Sequence, residues 1–259
     1  MAEKIRLSFL GTNGWYTDEN GNSVCAVIET GRSYIVLDAG EGLRLLGKFA
    51  TRREKRIDLY LSHFHLDHVI GLHTLPALAR LGRIRIFGQP GTGKVIAQLV
   101  NHPFTASFAE LRGLGLEVSV HELKEGRNKI PGADYAVVAA PLVHADPCFG
   151  YRFETKGKTI AYCTDTGACE NIVKLARGAD ALITECGMLP GGKEDSEWPH
   201  LSPEKAARLA KRAICKKLFL THFGAHLYRT KESRKGAERA ARKIFGKSFA
   251  AKDGMEVGI

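Results

Sequence analysis

The chain has 259 residues, 44% of them hydrophobic, and its 38 lysines and arginines outweigh 28 aspartates and glutamates to give a net charge of +10. That length supports a large core. No apolar run approaches the roughly 18 residues needed to span a bilayer, and the apolar stretch in the start, MAEKIRLSFLGTNG, is too short for a signal peptide, so a cytoplasmic protein without membrane contact is expected.

In chain order, IRLSFLG, AVIET, SYIVLDAG and IDLYLSH read as strands, being rich in Val, Ile, Tyr and Phe and punctuated by Gly, Asn or Asp. RIRIFG, LEVSVHEL, YAVVAAPLVH, GYRFET, KTIAYCTD, ALITEC and KLFLTHF continue the series. Helical patterns fall around 42–50, 72–82, 92–101, 104–113, 170–177, 203–214 and 232–245. Ser202 followed by Pro203 makes an N-cap with proline at the first helical position. DENGNS and PGGKEDSE read as loops. No long linker or internal repeat is visible, so residues 1–259 are expected to form a single α/β domain. The strands are too numerous for one simple parallel sheet, which points to two sheets covered by helices.

The six cysteines, Cys25, Cys148, Cys163, Cys169, Cys186 and Cys215, form no CxxC pair and are expected to be buried, reduced thiols. The positive charge favours anionic partners, phosphate esters or nucleic acid among them. Much of it lies in RTKESRKGAERAARKIFGK near the C-terminus, which reads equally as a solvated helix face or as an RNA patch. GQPGTGKV (88–95) nearly spells a phosphate-binding loop, but Val95 stands where a hydroxyl is needed, so a structural strand–turn–helix is expected.

The stretch LSHFHLDHVIGL places His63, His65, Asp67 and His68 within six positions. Several other strands also finish on polar residues: SYIVLD on Asp38, YAVVAAPLVH on His144, KTIAYCTD on Asp165 and KLFLTH on His222. In α/β folds the carboxyl ends of strands are where sites are built. His63 and His65, two apart, can point the same way. Asp67 and His68 follow in the turn and can face a second ion, and with His144, His222 and Asp165 the set reaches seven candidate ligands, too many for one tetrahedral zinc and suited to two ions. Nitrogen and oxygen donors suit Zn²⁺, with Mn²⁺ or Fe²⁺ as alternatives.

HFHLDH, followed by His144, Asp165 and His222, resembles the HxHxDH signature of the metallo-β-lactamase superfamily, in the same order and over nearly the whole chain. The resemblance implies an αββα four-layer sandwich, two mixed β-sheets back to back with helices on both outer faces. It implies that His63, His65 and His144 hold one ion, that Asp67, His68 and His222 hold the other, and that Asp165 bridges. Asp38 would orient a ligand histidine.

FLGTNG, LDAGEGLRLL, IRIFGQPGTGK, TECGML, HLSPEKAARLAK, LTHF and AAKDGMEV are similar to the ribonuclease Z-like branch. There a glutamate and a histidine stand near the scissile phosphate, at the positions of Glu185 and His200. The resemblance implies a dinuclear phosphodiesterase in which a metal-bridging hydroxide attacks phosphorus and a protonated His200 serves the leaving oxygen. The expected catalytic set is Asp67, Glu185 and His200. Two departures bear on substrate. His144 and Asp165 are only 21 positions apart, with no room for the arm that grips transfer RNA, and WYTDENGNS lacks a Pro-rich, Arg-Asn pattern. A cyclic nucleotide, a nucleotide diester or a short nucleic acid is therefore expected, and a homodimer on resemblance alone.

The alternative is a carbonyl hydrolase acting on a lactone, thioester or β-lactam with the same metals, which has less need of His200. A non-catalytic scaffold would be expected to have lost ligands. A diiron flavoprotein would carry Glu at position 65, and a β-CASP nuclease would need more than the 57 positions between Asp165 and His222.

Overall fold

Segments such as SYIVL and ALITEC are buried at every position, which requires cover on both faces of a sheet. The computed structural model describes residues 5–52, 54–193 and 196–259. Two members of the loop read over 190–197, and the first residues of the chain's start, lie outside the described residues.

The strands are β1 (Arg6–Gly11), β2 (Asn13–Gly14), β3 (Cys25–Glu29), β4 (Ser33–Leu37), β5 (Arg56–Tyr60), β6 (Arg83–Gly88), β7 (Glu117–Glu122), β8 (Gly126–Asn128), β9 (Ala136–Pro141), β10 (Phe149–Thr155), β11 (Lys158–Cys163), β12 (Ala181–Cys186), β13 (Leu218–Gly224), β14 (Ser248–Ala250) and β15 (Glu256–Gly258). One sheet runs β15-β1-β3-β4-β5-β6-β7. The other runs β14-β13-β12-β11-β10-β9-β8, with β2 beside β13. Both are mixed: β4, β5, β6 and β7 are parallel, as are β11, β12, β13 and β14, and antiparallel strands complete each sheet.

The two-residue period of the strands divides their side chains between layers. Along β4, Ile35 and Leu37 enter a cluster shared with Tyr60, Tyr151, Phe153 and Phe219 of both sheets, while Tyr34 and Val36 face outward. That outer face packs against Leu43, Leu72, Leu75, Ile96 and Leu111. The outer face of the second sheet packs against Ile172, Leu175, Leu209 and Ala237. The result is the expected four-layer αββα sandwich.

The helices are α1 (Leu46–Phe49), α2 (Leu66–Val69), α3 (Thr92–Leu99), α4 (Phe108–Gly113), α5 (Glu170–Ala176), α6 (Pro203–Arg212) and α7 (Lys231–Arg242), with 3-10 turns at Glu41–Leu45 and Ile70–Leu81. The helix expected over 72–82 is a 3-10 run because Pro76 lies inside it and offers no N–H to an α ladder. The helix expected from 104 begins at 108, where Ser107 and Glu110 form a reciprocal capping box. Among the described residues no helix is long and apolar enough to cross a membrane.

Candidate metal centre

The parallel registers point the carboxyl ends of β4, β5, β11 and β13 toward one edge of the sandwich. Asp38 directly follows β4, His63 and His144 come three residues after β5 and β9, and Asp165 two after β11. His222 differs from the sequence expectation by lying inside β13 rather than at its end. Asp38, Asp165 and His222 have left-handed backbones, with φ of 56°, 49° and 49°. Such conformations are uncommon outside glycine and persist where the surroundings fix them, typically at sites.

These turns bring the seven candidate ligands together. His63, His65, His144 and Asp165 each present an atom within 4.8 Å of the others, and so do Asp67, His68 and His222. Asp165 Oδ2 stands 3.5 Å from His63 Nε2 and 3.4 Å from His68 Nε2, between the two groups. His144 Nε2 is 3.3 Å from His65 Nδ1. His222 Nε2 lies 3.1 Å from both His68 Nε2 and Asp67 Oδ2.

The outer edges of the rings are anchored. Asp38, fully buried, accepts from Ser62 N at 2.7 Å, Ser62 Oγ at 2.8 Å, Tyr162 Oη at 2.6 Å and His68 Nδ1 at 2.8 Å. Asp146 Oδ2 is 2.8 Å from His65 Nε2, and Ser62 Oγ is 3.0 Å from His63 Nδ1. An imidazole that donates from one nitrogen turns a lone pair toward the centre with the other. His63 Nε2, Asp165 Oδ1 and His222 Nδ1 are buried and have no hydrogen-bond partner among the described residues. The last two atoms are 2.8 Å apart but lie off hydrogen-bonding directions. Buried acceptors crowded on acceptors are costly, and a divalent cation relieves them. The donor set therefore fits divalent metal binding.

Burial, with the charge of His68, pushes His63 well below the usual histidine range. Burial acts the same way on His68 and His222, but it is outweighed. Asp67, Asp38 and Asp165 hold His68 well above its usual value, and Asp165 and Asp67 bring His222 up to about 10. Burial would raise Asp67 and Asp165, yet His68 and His222 keep both below the carboxylate range. Protons and a cation thus compete for the same nitrogens.

Glu185 and His200 meet beside this group. Glu185 is fully buried and accepts four hydrogen bonds, from Thr166 N, Gly187 N, Leu201 N and, at 2.9 Å, His200 Nδ1. His200 also shares a 4.8 Å group with Asp165 and His222. Burial lowers the His200 imidazolium, but the Glu185 carboxylate outweighs it and holds it above its usual value.

Several residues at the centre escaped the sequence reading. Asp146 follows His144 by two positions, which is its only sequence signal. Trp15 donates its backbone N–H to Asp67 Oδ2 at 2.7 Å, and Trp198 stacks on His65. A Cβ on Gly14 would lie 2.4 Å from His222 Cε1, so only glycine permits this approach. Arg234, in the basic run near the C-terminus, is buried and donates to Thr12 and Asn13, the residues leading into Gly14. The phosphate-loop lookalike is filled by the protein itself: Glu122 Oε1 accepts from Gly91 N at 3.0 Å and Gly93 N at 3.1 Å. The cysteines are all unpaired, and five of them are buried.

The profile of the beta-lactamase superfamily domain matches residues 33–223. The ribonuclease Z of Methanosarcina acetivorans is 26% identical over 315 aligned positions, covering 98% of each chain. That alignment is longer than this chain, so the relative carries segments without a counterpart here. The metallo-beta-lactamase fold protein YhfI from Bacillus subtilis superposes with a TM-score of 0.78 at 18% identity, covering 99% of this chain and 100% of that one. Human tRNase Z, short form, gives 0.71 at 22% identity, covering 97% and 98%. At these identities the structural likenesses show the fold.

Proposed function

The chain belongs to the beta-lactamase superfamily, and on that premise we propose that it is a metal-dependent phosphodiesterase. The observation that carries this reading is the Glu185–His200 pair against the ligand group. Hydrolysis of a phosphodiester expels an alkoxide, which needs a proton. His200, with Nδ1 held by Glu185 and its imidazolium favoured, can supply one from Nε2.

We read His63, His65, His144 and Asp165 as the holders of one ion and Asp67, His68, Asp165 and His222 as the holders of a second, with zinc preferred and manganese or iron as alternatives. When bound, such ions supply Lewis acidity that activates water and offsets phosphate charge. Asp38 fixes the ring of His68, Asp146 that of His65, and the Trp15 amide orients Asp67.

The ribonuclease Z relative supports a phosphodiester of the kind found in nucleic acid as substrate. Between His144 and Asp165 the chain holds only β10, β11 and short turns, which leaves no arm there and favours small diesters over transfer RNA. A single domain, a cytoplasmic location and a homodimer complete the proposal; the core cluster common to both sheets supports the first, the want of an apolar run near the roughly 18 residues that span a bilayer prompts the second, and resemblance alone the third.

The test is elemental analysis of metal-replete protein combined with an assay on bis(p-nitrophenyl) phosphate. Two metal equivalents and hydrolysis support the proposal. Fewer than one equivalent, or hydrolysis that persists undiminished in His65→Ala, overturns it.

A further inference from the structure

The chain has two tryptophans, and both stand at the rim of this centre. Trp198 lies parallel to the His65 ring, with 5° between planes and 5.3 Å between centroids, and 5.8 Å from the His144 ring. Trp15 meets the His226 ring edge-on at 5.1 Å, and its own amide binds Asp67. The Trp198 indole thus adjoins the His63–His65–His144 group, while Trp15 reaches the Asp67–His68–His222 group through its backbone and sets its indole against His226. Both are largely open to solvent, Trp198 at 52% and Trp15 at 67%.

Trp15 also has a φ of 76°, a conformation that bulky residues rarely adopt. Strain held at an exposed residue beside a site is a mark of use. Its chain neighbour Tyr16 lines an open cavity of about 450 Å³ together with Asp18, Glu19, Asn20, Ala225 and Arg229.

We propose that the substrate is a diester joining two nucleosides, with one base stacked on Trp198 and the other received by the exposed indole of Trp15. The proposal rests on the phosphodiesterase reading of the centre. Every nucleobase has a flat π face, and stacking on an indole tolerates any sequence. The net charge of +10 draws in the phosphate. A cyclic mononucleotide brings one base and would leave one indole unused, whereas a dinucleotide engages both.

With only these two tryptophans, intrinsic fluorescence of the metal-loaded protein reads the interaction directly. Titration with a dinucleotide carrying a non-hydrolysable methylenephosphonate link is expected to quench the emission. Trp15→Gly removes the indole, accommodates the positive φ and keeps the N–H that binds Asp67. Trp198→Ala removes the other indole, and Trp198→Phe keeps a ring against His65. The glycine and alanine variants are expected to bind the dinucleotide roughly 5- to 100-fold more weakly. The phenylalanine variant should recover most of that loss. In the same two variants the ratio of kcat/KM for a dinucleotide to that for methyl p-nitrophenyl phosphate falls.

Unchanged affinity in Trp15→Gly and Trp198→Ala, with thermal melts confirming that both are folded, overturns the proposal. So does wild-type affinity no greater than that for a mononucleotide. If methyl p-nitrophenyl phosphate is still hydrolysed in that event, the phosphodiesterase reading stands without the two-base substrate. If the dinucleotide binds through the indoles but neither diester is cleaved, it is the phosphodiesterase reading that fails.

Discussion

The Nε2 atoms of His68 and His222 face each other at 3.1 Å. Since Nδ1 of His68 is committed to Asp38, its Nε2 offers a lone pair unless it takes a second proton. Asp67 Oδ2 lies 3.1 Å from His222 Nε2 on the same spot. Either protons or a cation must sit among these atoms. Despite burial, His222 keeps its proton up to about 10 because Asp165 and Asp67 face it. An ion entering at pH 8 must displace that proton. Zinc uptake is therefore expected to release protons and to weaken as pH falls. Calorimetry in buffers of different ionisation enthalpy checks this, and heats independent of buffer would contradict it.

Without metal, the same proton on His222 makes stability depend on pH. The folded value of about 10 lies above the ordinary 6.5, so the contribution of His222 to stability is complete below 6.5 and is lost as pH rises through 10. Zinc at a hundredfold excess over Kd should add about 2.7 kcal/mol of stability, and at a fixed zinc concentration the rise in the unfolding midpoint should be largest at the alkaline end. A midpoint indifferent to zinc across pH 6.5–10 would remove the argument.

His200→Ala is expected to cut kcat on an alkyl diester by about 10²- to 10⁴-fold. The loss should be far smaller with p-nitrophenolate, which leaves without a proton. Glu185→Gln should move the alkaline limb of the pH profile downward, because the carboxylate that holds His200 above its ordinary value is gone. Equal losses on both leaving groups would assign His200 a structural role instead.

Gly14→Ala forces a methyl to within 2.4 Å of the His222 ring, which Asp67, Asp165 and His68 hold from the other side. Zinc affinity is expected to fall by about 10- to 100-fold, of the order seen when support around a metal ligand is disturbed. Competition with a chromophoric chelator measures it, and wild-type affinity would show that the ring can yield.

Arg234→Met leaves Thr12 and Asn13 without their buried donor. A loss of about 2–3 kcal/mol in urea unfolding is expected, with reduced zinc affinity because Asn13 leads into Gly14 and β2 pairs with β13 beside His222. An unfolding curve matching wild type would place the charge in water after all.

The sequence made some of this legible for local reasons and hid the rest for tertiary ones. HFHLDH is readable because its spacing is a turn's own geometry, and Asp38, His144 and Asp165 because apolar runs stop at them. Glu185 and His200 were found by resemblance, and their contact at 2.9 Å spans 15 positions that no period links. Asp146, Trp15 and Trp198 reach the centre from loops, where neither a two-residue nor a 3.6-residue repeat marks a direction. In the sequence Arg234 reads as one of many solvated charges in a basic helix; its burial depends on contacts with Thr12 and Asn13, more than two hundred positions away, and with the Phe223 ring, eleven positions away. β2, β8, β14 and β15 are two or three residues long, too short for any alternation to show.

The most direct measurement is a side-by-side assay of the metal-loaded protein on a phosphodiester and a lactone, each repeated after chelation. Chelator-sensitive hydrolysis of the diester, with kcat/KM well above that for the lactone, is the predicted result. Preference for the lactone, or diester cleavage that survives complete removal of the metal, would contradict the account.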